Sequence, residues 1–410
     1  MRWPLMQENI TKDDLKSVAE LCGSPYVSMR SSVIQIPPRL TQGPQVAAFE
    51  REFADWLGVK YAVMVNSGAS ANLITMYALR ELHGVGNVLV PCITWSSDIM
   101  SVLHAGLTPV FVDIDPRTLG MDWEEVFKKG DANPPVFVTH CLGFSSLPSF
   151  CNPLDKRMLP IIEDCCECIG ATRQGRKLGT FGLASNFSFY YGHHMTTIEG
   201  GMVCTDDADF FETCRVLRSH GMTREIAGDA TRKAYENPLT HPDFTFEHCG
   251  FNMRSTEINA VIGRSQLKRL DANIAKRTEN LLLFLSLLDP AIYRTDYAVE
   301  GSSNFALPLV LQEPDESLIW SACSRLRECG VEYRRGTAGG GNQLRQPYLR
   351  RIYGDHYKNF PQAEHVHNFG LYVGNYPTLD QQMIAEVCDK LNAIGRVRLS
   401  DEACGTQQVL

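Results

Sequence analysis

A chain of 410 residues with 44% hydrophobic and 21% charged side chains has the make-up of a folded globular protein, and it is long enough to expect two domains. Its net charge of −8 and pI near 5.8 argue against nucleic acid or an anionic membrane as the main partner, while leaving room for a local arginine cluster that binds phosphate. The opening "MRWPLMQENITKDD" has no apolar core of leader length, and no later apolar run reaches about 18 residues, so a cytoplasmic protein without membrane attachment is expected.

In chain order, "KYAVMVNSG" reads as a strand ending in a small-residue turn, and "ASANLITMYALREL" follows with helical spacing. "NVLVPCITW", "GLTPVFVDID", "PPVFVTHCLG" and "LPIIEDCCE" repeat the short apolar strand with a polar end. Such strands, separated by helices, predict a mainly parallel sheet covered on both faces, with the ligand site beyond the strands' C-terminal ends. Ser67, Trp95, Asp164 and Ser188 stand at those ends. From about residue 255 the texture changes. "STEINAVIGRSQLKRLDANIAKRTENLLLFLSLL" predicts one long amphipathic helix leading into a smaller α/β unit. "NFALPLVLQ" and "GVEYRRG" are its candidate strands, "AGGGNQ" a flexible loop, and "SDEACGTQQVL" a tail without packing pattern.

Each strand end permits a bland and a chemical reading. "NSGASAN" can be a serine-capped helix start or an anion cradle made of backbone N–H groups. Trp95 can pack an edge or stack on a planar ring, and Asp164 can be a solvated cap or the partner of a protonated ring nitrogen. Ser188 can donate to a phosphate. Fourteen scattered cysteines read as free thiols, and "CCEC" at Cys165–Cys168 lacks a second pair at zinc spacing, so no metal site is expected.

The stretch "SFYYGHHMTTIEGG" joins these signals. Together with "VNSGASANL", "EDCCECIGA", "LGTFG" and "HGMTR", it resembles the DegT/DnrJ/EryC1/StrS sugar aminotransferase family, from about Gly43 through the C-terminal helices. The resemblance implies the fold type I of pyridoxal phosphate (PLP) enzymes, like aspartate aminotransferase: α/β, with a mainly parallel central sheet. It also implies a large cofactor-binding domain with an N-terminal arm over 1–275, a smaller C-terminal α/β domain over 276–400, and a loose tail over 401–410.

In that family a lysine five residues after the serine anchors the cofactor covalently. Here the position holds His193, and no lysine lies between Lys177 and Lys233. One branch of the family carries histidine there and comprises sugar 3-dehydratases. An iron–sulfur-bearing sister has a Cys-x-Cys downstream of the histidine, whereas only Cys204, Cys214 and Cys249 follow His193 before the helices, which favours the cluster-free, GDP-sugar kind.

Carried over residue by residue, the resemblance gives Gly68, Ala69 and Ser188 to the cofactor phosphate, Trp95 to ring stacking, Asp164 to the ring nitrogen and Glu167 to the ring-hydroxyl side. Asn252 of "GFN" reaches the neighbouring subunit's cofactor phosphate, which implies a homodimer with shared sites. His193 becomes the catalytic base, and PLP or its amine form, pyridoxamine phosphate, is held without a covalent bond. The implied reaction removes the 3-hydroxyl of a nucleotide-linked 4-keto-6-deoxy sugar and releases ammonia, with glutamate as amine donor. His220, Arg224, Arg254 and Arg334, with Arg335 beside it, are candidates for the substrate, since arginine grips a diphosphate bidentately. A sugar aminotransferase using another base and a non-catalytic scaffold relative stay open as alternatives.

Overall fold

The computed structural model describes residues 2–23, 40–129, 134–148, 160–228, 232–233, 239–241 and 244–405, and for 395–405 the backbone alone. The apolar runs become strands β1 (Tyr61–Val65), β2 (Asn87–Pro91), β3 (Thr108–Val112), β4 (Val136–Thr139) and β5 (Ile161–Asp164). A short hairpin follows, β6 (Thr172–Arg173) with β7 (Arg176–Lys177), and then β8 (Ala184–Ser188) and β9 (Gly201–Thr205). Seven of them form one sheet in the order β1-β9-β8-β5-β4-β2-β3. β9 alone runs against its neighbours β1 and β8, so the sheet is mainly parallel, as expected for strands buried on both faces.

Alternation along the strands splits the core in two. Val63, Val65, Val88, Val90, Phe137 and Ile162 join one cluster, while Met64, Leu89, Val136, Val138 and Ile161 join the cluster on the other face. Helix α1 (Lys12–Gly23) belongs to the N-terminal arm, and α2 (Pro44–Leu57) precedes β1. Helices α3 (Gly68–His83) and α4 (Ser96–His104) start directly after β1 and β2, with Ser67 capping α3 by accepting from the Ser70 amide at 3.1 Å. A second sheet, β10 (Ala306–Val310), β12 (Gly370–Gly374) and β11 (Tyr333–Arg335), is antiparallel with β12 in the middle.

Three expectations need correction. The long helix is two, Glu257–Leu267 and Leu270–Leu287. The break falls at Arg269, whose guanidinium leaves the helix pattern to pair with the buried Asp14 of the arm at 2.6 Å and to donate to the Asn9 carbonyl at 3.0 Å. "AGGGNQ" is not a free loop. Gly339, Gly340 and Gly341 all have positive φ, and a side chain on Gly339 would sit 2.3 Å from the Thr94 carbonyl oxygen, so glycine is required for this close approach beside Trp95. The Gln343 amide donates to the Cys92 carbonyl at 2.9 Å and locks the turn. Finally, the last helix, Gln381–Gly405, continues through 401–405 of the expected loose tail, and 406–410 lie outside the described residues. No helix among the described residues is long and apolar enough to cross a membrane.

Candidate active site

The strand ends open onto a cavity of about 290 Å³. Gly68, Ala69, Trp95, Asp164, Glu167, Ser188, His193 and Arg334 all line it. Four strand-to-helix or strand-to-loop junctions, after β1, β2, β5 and β8, thus deliver most of the expected residues to one place. Asn252, His220, Arg224 and Arg254 stand elsewhere. Asn252 is exposed and accepts from Arg254 Nε at 3.1 Å. His220 is exposed at φ +64°, Arg224 lies over the Phe244 ring at 5.9 Å, and Arg335 is engaged by the Asn368 carbonyl and the Trp320 ring.

At one end of the cavity the backbone forms an anion cradle. The Gly68 and Ala69 amides have no hydrogen-bond partner among the described residues, and they start a helix of 16 residues. The Ser188 hydroxyl stands close by. A Cβ on Gly68 would lie 2.6 Å from Ser188 Cβ and 3.1 Å from Cys166 Sγ, so glycine keeps the two walls together.

Deeper in, Asp164 is buried. Its Oδ1 accepts from the Cys166 amide at 2.9 Å and its Oδ2 from Asn72 Nδ2 at 2.9 Å. No lysine, arginine or histidine among the described residues hydrogen-bonds or ion-pairs with it. Glu167 accepts from the Leu142 amide at 2.7 Å, and burial, reinforced by the nearby Asp164 charge, pushes its carboxyl up to about 7. Trp95 is 49% exposed, an indole face open to the cavity.

The two histidines part company. His194 is fully buried, and its Nε2 lies 3.1 Å from the Ser303 carbonyl oxygen. His193 lines the cavity between Tyr190 and Phe305, with ring centroids at 6.1 and 5.1 Å, and makes no side-chain hydrogen bond among the described residues. Burial, then the Arg277 guanidinium, push its imidazole down to about 3, so it is neutral at neutral pH.

The chain is matched over residues 33–392 by the model of the DegT/DnrJ/EryC1/StrS aminotransferase family. It belongs to that family. A GDP-4-keto-6-deoxy-D-mannose 3-dehydratase of Yersinia pseudotuberculosis is 31% identical over 352 residues, 82% of this chain and 88% of the relative. The structure of the E. coli GDP-4-keto-6-deoxy-D-mannose-3-dehydratase with bound hydrated PLP superposes with a TM-score of 0.82 at 28% identity, covering 95% of this chain and 99% of the other. A structure of a GDP-4-keto-6-deoxymannose-3-dehydratase with a trapped PLP-glutamate geminal diamine gives 0.78 at 27% identity, covering 95% and 100%.

The family's fold type I is therefore the fold of this chain, and the protein is an enzyme using PLP or its amine form. The cavity fits that group. Two unpaired amides and a hydroxyl await a phosphate, and a buried carboxylate without a protein cation awaits a protonated ring nitrogen.

Several lining residues carry no mark in the sequence. Met6, Thr139, Tyr190, Glu199, Phe305 and Tyr372 complete the wall. Met6 arrives on the arm, where a Cβ on Gly192 would touch its sulfur at 2.5 Å, while Phe305 stands just before β10 and Tyr372 on β12 of the second sheet. Cys165 and Cys168 of "CCEC" do form a buried group with His140 in which the candidate ligand atoms lie within 4.8 Å of one another, while Cys166 lines the cavity. Both imidazole nitrogens are already used: Nδ1 accepts from the Ser146 amide at 3.1 Å, which leaves Nε2–H to donate to Glu163 at 3.2 Å. No lone pair is free for a metal.

Proposed function

We propose that this enzyme removes the 3-hydroxyl of a nucleotide-linked 4-keto-6-deoxy sugar, with GDP-4-keto-6-deoxymannose the favoured substrate. The products are a 3-deoxy-4-keto sugar and ammonia, with glutamate as amine donor. One observation carries the reading. A neutral histidine without a side-chain hydrogen bond projects into the cofactor cavity at the family's lysine position, and no lysine lines that cavity among the described residues. The relatives support the substrate class, since the Yersinia protein bears that activity in its name.

When bound, the amine form of the cofactor would supply the electron pair that expels the 3-hydroxyl, and glutamate would restore that amine as it becomes its 2-oxo acid. The chain's own residues do the rest. Gly68 and Ala69 amides and the Ser188 hydroxyl hold the phosphate, Trp95 covers the ring, and Asp164 holds a proton on the ring nitrogen. Glu167, its carboxyl raised to about 7, is part-protonated at neutral pH and can offer a donor on the ring-hydroxyl side. Nothing ties the cofactor covalently, so these contacts carry all of the affinity. His193 takes a proton in the first half of the reaction and returns one to the departing hydroxyl in the second. Arg334, on the cavity wall, meets the diphosphate side of the substrate. Asn252 serves a second copy's cofactor in a homodimer.

The test is incubation with a panel of nucleotide 4-keto-6-deoxy sugars plus glutamate, followed by mass spectrometry. Net loss of one oxygen atom from the sugar, with glutamate converted to its 2-oxo acid and ammonia released, supports dehydration. Gain of an amino group instead assigns an aminotransferase. A clean monomer that still binds the cofactor in micromolar solution contradicts the shared site.

A further inference from the structure

Behind Asp164 lies a second carboxyl, Asp98, fully buried on α4. The two are tied by one amide. Asn72 Nδ2, on α3, donates to Asp98 Oδ1 at 2.8 Å and to Asp164 Oδ2 at 2.9 Å. The orientation of that amide is set from its nitrogen side, by the two carboxyls and more weakly by the Ser97 hydroxyl at 3.3 Å, because Asn72 Oδ1 is buried without a partner among the described residues. No cationic side chain among the described residues hydrogen-bonds or ion-pairs with either acid. Two adjacent buried carboxylates with no counter-charge are prohibitive, so the pair needs a proton.

The geometry says where that proton sits. Asp98 Oδ2 meets the Thr94 hydroxyl and also the Thr139 hydroxyl, the latter at 2.6 Å, and the two hydroxyls meet each other at 2.7 Å. Three mutual oxygen contacts call for three hydrogens, and the two hydroxyls supply two. Asp164, by contrast, has a backbone amide on Oδ1 and an amide on Oδ2, the surroundings of a charged carboxylate.

We propose that Asp98 is a neutral carboxylic acid that completes this three-oxygen ring and, through Asn72, positions Asp164 and reserves the pair's single negative charge for it. Asp98 and Asn72 are then positioning residues for the group that holds the cofactor's ring nitrogen. Burial and the neighbouring Asp164 charge push the Asp98 carboxyl well up, in the same direction. The inference rests on the family's cofactor and uses nothing of the sugar reaction, so it stands or falls separately from the dehydratase reading.

Infrared difference spectroscopy on the full chain tests the first half. The protein is labelled with carbon-13 aspartate only, which keeps Glu167 out of the band. A protonated-carboxyl carbonyl band at neutral pH, absent in Asp98→Asn, is expected. Absence of that band in the wild type, or its survival in Asp98→Asn, overturns the proposal. PLP titrations followed by absorbance test the second half. Asn72→Leu should raise the PLP dissociation constant about tenfold and shift the pH titration of the bound-cofactor spectrum. Asp98→Asn, which keeps a neutral acceptor for Asn72, should rescue both to within about twofold, whereas Asp98→Leu should not. Wild-type affinity and titration in Asn72→Leu, or Asp98→Asn as impaired as Asp98→Leu, overturns the positioning role. If the variants do not fold, the wild-type spectrum still decides against the neutral acid when it shows no band.

Discussion

Arg277 Nη2 donates to the main-chain carbonyl of His193 at 3.2 Å, while Nη1 donates to the carbonyls of Phe305, at 3.1 Å, and Asn375. One buried guanidinium therefore fixes the histidine's backbone against the second sheet that closes the cavity. Burial lowers Arg277 to about 9, which still leaves it charged at neutral pH. Its charge is the second cause, after burial, that keeps His193 neutral. Arg277→Met should cost about 3 kcal/mol in urea unfolding, since three buried carbonyls lose a charged donor. It should also raise the His193 titration by part of its full displacement, read by NMR on labelled histidine. An unmoved His193 titration in a folded Arg277→Met protein contradicts the coupling.

Glu167 and the two histidines make opposite contributions to stability against pH in the cofactor-free protein. Glu167 is raised from 4.5 to about 7 in the fold, so the folded state binds more protons between those values. Its stabilisation is present in acid and fades as pH rises through 7. His193 is lowered from 6.5 to about 3, and His194 is lowered well below 6.5, both chiefly by burial. For them the unfolded state binds more protons, so stability falls as pH drops from 6.5 toward 3. Glu167→Gln should therefore gain on the order of 2–3 kcal/mol relative to wild type at pH 8 compared with pH 4, while keeping the acid limb set by the histidines. Parallel urea midpoints of the two proteins across that range would show the Glu167 carboxyl to be unperturbed.

Gly68 is a packing requirement more than a conformational one. Alanine at the first position of α3 suits a helix, yet its Cβ would fall 2.6 Å from Ser188 Cβ. Gly68→Ala should push β8 away from the helix start, cost about 1–3 kcal/mol and weaken PLP binding more than tenfold. Titration calorimetry that returns wild-type affinity for a folded Gly68→Ala protein disproves the cradle.

The readable part of this site is the part made at strand ends. Ser67, Trp95, Asp164 and Ser188 each follow an apolar run, and parallel strands end on one edge, so chain order alone places them together. Asn72 and Asp98 were invisible for a physical reason. Each is one polar residue in a helix whose periodicity says nothing about which face meets the strand ends. Met6, Arg277, Phe305 and Tyr372 reach the cavity or its loop through the arm and the second sheet, whose docking no local pattern encodes. The helix break at Arg269 has no local signal either, because its cause, Asp14, lies 255 residues away. His193 is legible only through its spacing from Ser188 in the family motif, as a lone histidine in "GHHM" carries no chemistry by itself.

The two adjacent histidines supply the most demanding prediction. His193→Asn should keep cofactor affinity, since the phosphate and ring contacts come from other elements, and should slow dehydration by about 100-fold or more. His193→Lys should place an amine where the family has one, so that borohydride fixes the cofactor permanently to this variant and not to the wild type. A stable reduced adduct on the wild-type chain contradicts non-covalent anchoring. His194 is a different kind of residue. It is fully buried, its Nε2 lies 3.1 Å from the Ser303 carbonyl oxygen, and its own carbonyl accepts from Asn9 Nδ2 at 3.3 Å. Its imidazole tethers the loop to the chain leading into β10 and does not line the cavity. His194→Asn should lower stability by about 1–3 kcal/mol through the lost buried contact, with the chemical step slowed far less than in His193→Asn. The converse result, chemistry lost in a stable His194→Asn protein and kept in His193→Asn, would move the base by one residue. It would also mean that the loop turns over when cofactor binds, because of the two histidines only His193 lines the cavity.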